Sequence, residues 1–220
     1  WGMVVFGVLG TAILLSLGIW QLQRLAWKQE VLRAIESKIL APAVEIPQAI
    51  LPDAHSLLPV RAEGRYKGDT VRVLVSQKIY GAGYRLITAF ELVDGRTIML
   101  DRGFTSVRLE MPSTPEGRGQ VIGNLQWPQE IDSFTPENDL AANIWFARDV
   151  ARLADHLKAE PVLLVLRDSS FETEAATPLP KMTANIPNDH MNYAITWFSL
   201  ALIWLGMSGY FLYRSPNTKP

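Results

Sequence analysis

The sequence predicts an α+β membrane protein in which two transmembrane helices flank a small antiparallel β-sheet or open-barrel domain with at least one helix of its own. Three observations predict it. The chain has 220 residues, 48% of them hydrophobic, and a mean hydropathy of +0.08, which lies between soluble and membrane classes. Its apolar residues are concentrated at the two ends: no charged side chain occurs from Trp1 through Gln23 or from Met191 through Tyr213. Between these segments the periodicity changes to short β-rich runs separated by turn residues.

Residues 1–23 are expected to form the first transmembrane helix. At a rise of 1.5 Å per residue such a segment is roughly 34 Å long, against a hydrocarbon core of about 30 Å. A cleaved signal peptide fits less well, because the apolar stretch is longer than an h-region and no small-residue cleavage pattern precedes Arg24. The chain opens with Trp1, so residues ahead of it are expected. Residues 24–59 are a helix extension and a connector. Trp27, Val31, Ala34, Ile35 and Ile39 recur at helical spacing until Pro42, and Pro47, Pro52 and Pro59 punctuate the connector.

Residues 60–187 are expected to form an extracytoplasmic β-rich domain and linker. Strands are expected at Val60–Tyr66, Thr70–Ser76, Tyr84–Leu92 and Thr97–Leu100, with turns at Lys67-Gly68-Asp69, Gly81-Ala82-Gly83 and Asp94-Gly95. These four suggest an antiparallel meander. Gln120–Leu125 and Pro161–Leu166 would complete the sheet or barrel, and Phe146–Leu157 has helical spacing. Residues 188–213 are the second transmembrane helix, with Tyr193, Trp197, Tyr210 and Tyr213 near its ends and Trp204 deeper. Residues 214–220, with Arg214 and Lys219, form a basic tail. That favours cytoplasmic termini, although Arg24, Lys28, Arg33, Lys38 and Lys181 then lie outside, where the charge rule is weak for a long translocated segment.

Composition excludes several chemistries. With 21 basic and 22 acidic residues the net charge is −1, so there is no basic surplus for phosphates and no nucleic-acid partner is expected. Without cysteine there is no disulfide framework, thiolate metal site or cysteine nucleophile. GxSxG, HExxH and Walker motifs are missing, and the Gly81, Gly83 pair leads into a strand, not a helix. Ser169 and Ser170 have no base nearby in sequence, and Glu172 and Glu174 read as a solvated loop. His55 reads as a surface residue, and His156 as a histidine suited to a helix C-terminus. No enzyme is expected.

His190 stands at the mouth of the last transmembrane helix, with Tyr193, Ala194 and Trp197 three, four and seven residues on. The outer end of the first helix offers Trp20, Arg24 and Trp27 at spacings of four and seven. A haem needs such a set: an imidazole for its iron, aromatic faces for its macrocycle and a guanidinium for its propionates. Lipid surroundings would suit a haem with a long hydrocarbon tail. The same residue types are also ordinary interfacial anchors of membrane helices. Read from the residues alone, both accounts stand.

Several blocks carry a resemblance. Leu17-Gly18-Ile19-Trp20-Gln21-Leu22-Gln23-Arg24-Leu25 with Trp27-Lys28 resembles the first-helix motif of the surfeit-locus (Shy-type) cytochrome c oxidase assembly family. Val60–Gly64, Gly83-Tyr84, Asp101-Arg102-Gly103-Phe104, and Trp145 with Arg148-Asp149 agree in order and spacing. Asn188-x-His190-x-x-Tyr193-Ala194-x-Thr196-Trp197-Phe198 is the most specific block. Thr105-Ser106 departs from the Val-Pro often found in the family.

The resemblance implies an assembly factor for haem-copper cytochrome c oxidase that binds haem a between its transmembrane helices and assists its insertion into subunit I. It implies His190 as the axial iron ligand, with Trp20, Arg24, Tyr193 and Trp197 as further cofactor-binding residues. The implied partners are oxidase subunit I, the haem a synthase and the lipid bilayer. The implied location is the bacterial inner membrane, with the bulk of the chain periplasmic, or the mitochondrial inner membrane. The alternative is a non-haem scaffold that holds nascent subunit I by helix packing. Arg102-Gly103 and Arg148-Asp149 are expected to be structural, a tight turn and a helix-start ion pair.

Overall fold

The computed structural model describes residues 1–77, 80–171, 176–179 and 188–214. It consists of two compact units, Trp1–Glu36 with Thr183–Pro220, and Ser37–Met182.

The first unit is built from helix α1 (Gly2–Ile39), up to Glu36, and the C-terminal helix α4 (His190–Arg214). Neither has an internal proline, so both ladders run unbroken. Along one face of α1 the less exposed positions include Gly7, Thr11, Leu14, Gly18, Gln21 and Leu25, flanked by Gly10 and Leu17, and along α4 they include His190, Ala194, Trp197, Ala201, Trp204 and Ser208, flanked by Phe198. Both series alternate steps of four and three, the seven-residue repeat that keeps one stripe facing a partner. The helices run antiparallel: Gly7 meets Ser208, Gly10 meets Trp204, and Gly18 meets Phe198. A Cβ on Gly10 would lie 2.3 Å from the Trp204 Nε1 atom, and one on Gly18 would lie 2.6 Å from the Phe198 ring, so only glycine admits these large rings. Trp204 Nε1 donates to the Gly7 carbonyl at 3.1 Å, which accounts for a tryptophan far from the helix ends. In the most apolar stretches of α1 and α4 only 11% and 6% of residues are buried. The remaining surface is apolar, as a bilayer requires.

The second unit is a closed barrel. A two-residue strand β1 (Val44–Glu45) and a four-residue helix α2 (Pro52–His55) interrupt the proline-rich connector. Then come β2 (Pro59–Gln77), β3 (Gly81–Leu92), β4 (Thr97–Ser106), β5 (Gly119–Gln126), the two-residue β6 (Ile144–Trp145), helix α3 (Val150–Leu157) and β7 (Leu163–Ser169). Strands β2, β3 and β4 form the expected antiparallel meander. Strand β5 pairs with β7 and with the first half of β2, and β7 pairs with β4, so the ring closes. The β4–β7 pairing is parallel, unlike the rest of the ring, because α3 carries the chain back across before β7 begins.

Four details depart from the sequence expectations. Gly81-Ala82-Gly83, expected to be a turn, is the opening of β3 and pairs with Val75, Ser76 and Gln77 of β2. The two strands expected on either side of Lys67-Gly68-Asp69 are one strand, and that triplet is a bulge with Gly68 at φ 72°. The helix expected from Phe146 starts at Val150, because Asp149 caps it, accepting from the amides of Ala151 and Arg152 at 3.1 Å each. Such a cap contributes about 1 kcal/mol. Arg102-Gly103 is not a tight turn but a bulge inside β4, where the register to β3 slips and Gly103 takes φ 114°. A Cβ there would lie 2.1 Å from the Thr177 carbonyl oxygen.

Strand β4 is buried on both faces. Ile98 and Leu100 join Phe90, Val121, Leu125 and Leu164 in one cluster. Met99, one residue out of phase, joins Val71, Ile87, Trp145, Leu153 and Leu163 in the other, with α3 as its cover.

Candidate functional site

The end of the helix pair opposite Trp1 and Arg214 carries the residues that the sequence singles out. Helix α4 starts at His190, and Tyr193 closes its first turn by donating to the Asp189 carbonyl at 3.1 Å. The His190 Nδ1 lies 2.8 Å from Oε1 of Gln21, a residue only 8% exposed on the seam of α1. A carbonyl-type oxygen facing Nδ1 places the ring hydrogen there and leaves the Nε2 lone pair for another partner. Two residues earlier in the chain, the Asn188 Oδ1 is buried without a hydrogen-bond partner among the described residues.

The other predicted site residues divide into two groups. Trp197 shares the seam of α4 with His190 and is half-buried. Trp20 and Tyr193 face outward, 53% and 57% exposed. Arg24 is exposed as well, with its guanidinium 4.1 Å above the ring of Trp27, a cation–π contact along the flank of α1. The structure therefore brings His190 and Trp197 onto the stripe shared with Gln21 and places Trp20, Arg24 and Tyr193 on outer faces. The sequence reading missed Gln21. The signal that finds it is the repeat Gly7, Leu14, Gln21, which puts a primary amide on the stripe that α1 turns toward α4.

A second polar cluster lies in the barrel. Asp101, fully buried, accepts from Arg85 Nε at 2.7 Å and from the Gly103 amide at 3.1 Å, and the Arg148 guanidinium stands 3.5 Å away. Arg148 also grips Glu130, with Nε 3.0 Å from Oε1. The expected Arg148–Asp149 ion pair is thus replaced: Asp149 is committed to the α3 amides, and Arg148 reaches Glu130 and Asp101. Burial works against the Glu130 carboxylate, but the hydrogen bonds and charge of Arg148 outweigh it and hold its pKa below the ordinary range. Arg148 shows the reciprocal effect, with burial outweighed by Glu130 and Asp101 so that its pKa rises. Arg85 also donates to the Leu179 carbonyl at 3.0 Å, and Arg102 donates to the Ser113 carbonyl at 2.9 Å while lying over the Tyr66 ring. The cluster is internally matched in charge and fastens β3, β4, Glu130, Arg148 and Leu179 together.

Elsewhere the described residues hold little chemistry. His55 caps the short helix α2 by accepting from the Leu51 amide at 2.9 Å, and His156 packs edge-on against Trp145. The Ser170 hydroxyl accepts from the Gln120 amide at 2.8 Å, and Glu172 and Glu174 lie outside the described residues. An open depression of about 420 Å³ is lined by Arg65, Lys67 and Arg118 among others, but Arg65 and Lys67 are already paired with Glu91. Among the described residues no group of three or more His, Asp or Glu side chains is placed to hold a metal ion.

Known proteins resemble the chain along nearly its whole length. The model of the SURF1 family matches residues 8–202. A SURF1-like protein of Rickettsia prowazekii is 29% identical over 98% of this chain and 91% of its own length. A SURF1-like protein of Rickettsia felis is 27% identical over 92% of each. Human Surfeit locus protein 1 is 29% identical over 84% of this chain and 69% of its own length.

Proposed function

Because the chain belongs to the SURF1 family and carries two membrane-length helices, we propose that it is an assembly factor for haem-copper cytochrome c oxidase. In this reading it binds haem a at His190 and assists its insertion into subunit I. It is a carrier and not an enzyme: the haem leaves as it arrived. The helix pair sits in the bacterial inner membrane with Trp1 and Arg214 toward the cytoplasm and the His190 end toward the periplasm.

The observation that carries the reading is the engagement of His190. Its Nδ1 is held by Gln21 while Nε2 has no partner among the described contacts. An iron ligand needs one imidazole nitrogen free and usually has the other hydrogen-bonded. The donor set fits the group. His190 would hold the iron, the outward rings of Trp20 and Tyr193 and the half-buried Trp197 would supply aromatic surface, and Arg24 would supply charge for the propionates. Bound there, the haem would supply only an iron centre awaiting its permanent ligands.

The test is the absorption spectrum of detergent-purified protein from cells that make haem a. The expected result is a haem a spectrum for the native chain and a protein of normal abundance but little colour for His190→Ala. Equal haem content and an unshifted spectrum in His190→Ala would sink the ligand assignment. A colourless native chain that still restores oxidase assembly would favour the scaffold, with α1 and α4 holding subunit I directly.

A further inference from the structure

We infer that Gln21 is a positioning residue for the haem ligand, fixing the tautomer, ring orientation and donor strength of His190. The inference rests on the reading of His190 as the iron ligand and extends it to a residue on the other helix.

A primary amide in an apolar helix seam is unfavourable unless its polar atoms are satisfied. Gln21 lies in the seam with Gly7, Thr11, Leu14, Gly18 and Leu25 and is 8% exposed; the Thr11 hydroxyl is satisfied within its own helix, donating to the Gly7 carbonyl at 2.8 Å, whereas the amide of Gln21 reaches the other helix. It faces one polar side chain across the pair, His190, at 2.8 Å. If Gln21 served packing alone, a leucine would fill the place at lower cost, as Leu25 does one turn on.

The contact acts on the ligand in two ways. A neutral imidazole exists as two tautomers, and only the one with hydrogen on Nδ1 presents a lone pair at Nε2. By accepting from Nδ1, Gln21 Oε1 selects that tautomer before any metal arrives. An acceptor on the distal nitrogen also makes the imidazole a stronger donor, which favours the ferric over the ferrous state. A neutral amide makes this push weaker than a carboxylate would. That suits a ligand that must later release its iron. The bond also joins α1 to α4 at the mouth of the pair, so ligand orientation and helix pairing share one contact.

The experiment uses the full chain coexpressed with haem a synthesis, purified in detergent and compared with Gln21→Leu, Gln21→Glu and His190→Ala. Haem a per protein, the Soret and α-band positions, the iron–histidine stretching frequency and the midpoint potential are measured. Gln21→Leu should retain haem roughly 10–100-fold more weakly, the range for losing the partner of a metal-bound histidine, and shift the iron–histidine stretch to lower frequency. Gln21→Glu should keep its haem, with a lower midpoint potential and a higher stretching frequency. If His190→Ala is colourless but Gln21→Leu matches the native chain in haem content, bands and potential, Gln21 only fills the seam and this inference fails while the ligand assignment stands. An unshifted potential in Gln21→Glu overturns it too, even if Gln21→Leu fails to accumulate. Haem retained by His190→Ala with an unchanged spectrum overturns both.

Discussion

The helix pair and the barrel meet the same requirement, that buried polar groups find partners, with opposite means. The helix pair brings backbones close through Gly7, Gly10 and Gly18 and admits few polar contacts to its seam, among them Trp204 to the Gly7 carbonyl and His190 to Gln21. The barrel instead buries full charges, with Asp101 between Arg85 and Arg148 and Glu130 closing the set. Apolar surroundings give helices no hydrophobic reason to associate, so shape has to hold them. In water the apolar clusters around β4 drive collapse, and the matched charges fix which strands meet. A polar residue in the barrel is therefore read first as structure, whereas in the helix seam, where Thr11 and Trp204 are satisfied by the Gly7 carbonyl, the side-chain pair His190–Gln21 is the contact that calls for a further account.

The contrast is most exposed to failure at Asp101. Asp101→Leu leaves Arg85 and Arg148 without their buried partner, and breaking such a pair costs about 3–5 kcal/mol. Chemical denaturation of the purified chain should show the barrel transition moved by that amount, with lower accumulation in cells. A loss under about 1 kcal/mol would mean that the cluster does not organise the barrel. In the helix pair a single polar contact should matter much less. Replacing Trp204 by 3-benzothienylalanine keeps the bicyclic ring against Gly10 and removes only the hydrogen bond to Gly7, so it should cost about 0.6 kcal/mol and no more than about 1.7, whereas phenylalanine would also lose the indole edge that lies against Gly10. Unfolding in mixed detergent micelles measures it, and a larger loss would show that polar contacts, not shape, hold the helices.

The smallest effect concerns acid. Because Arg148 lowers the Glu130 pKa in the folded chain, the contribution of this pair is present at neutral pH and is lost as pH falls through the lowered value. Glu130 is more than a third exposed, so its contribution should stay below about 1 kcal/mol. Glu130→Gln should lower stability at neutral pH and converge with the native chain at strongly acid pH. A difference that grew on acidification would reverse the assigned sign.

How much of this was legible in the sequence depended on the range of the interaction. The two spans were readable because absence of charge is a local property, and the meander was readable because alternation and Asp94-Gly95 are local. Lys67-Gly68-Asp69, Gly81-Ala82-Gly83 and Arg102-Gly103 read as turns in the sequence but lie within strands, since a glycine at positive φ serves a turn or an irregular strand position equally, and only the partner strand decides. The start of α3 was recoverable: Asp149 stands before an apolar-periodic run, which is a capping signal. Barrel closure was not, because the β2–β5 and β4–β7 registers join segments far apart in sequence. At the helix mouth His190 was legible as a lone imidazole beside an apolar run. Gln21 was not, because an uncharged amide leaves little mark on a hydropathy pattern until the partner helix shows which face is inside.

Strand β7 is the last of the ring to be made, and it alone joins β4 to β5. Until Leu163–Ser169 is available, the meander has a free edge along Met99–Asp101, and β5 has no second neighbour. Closure is therefore late and non-local, the kind of step that slows folding because chain entropy is lost before contacts repay it. A chain cut short anywhere before Ser169 would present open strand edges to its surroundings. The barrel is in that sense a checkpoint on completeness: only a chain synthesised through its last strand can hide its edges.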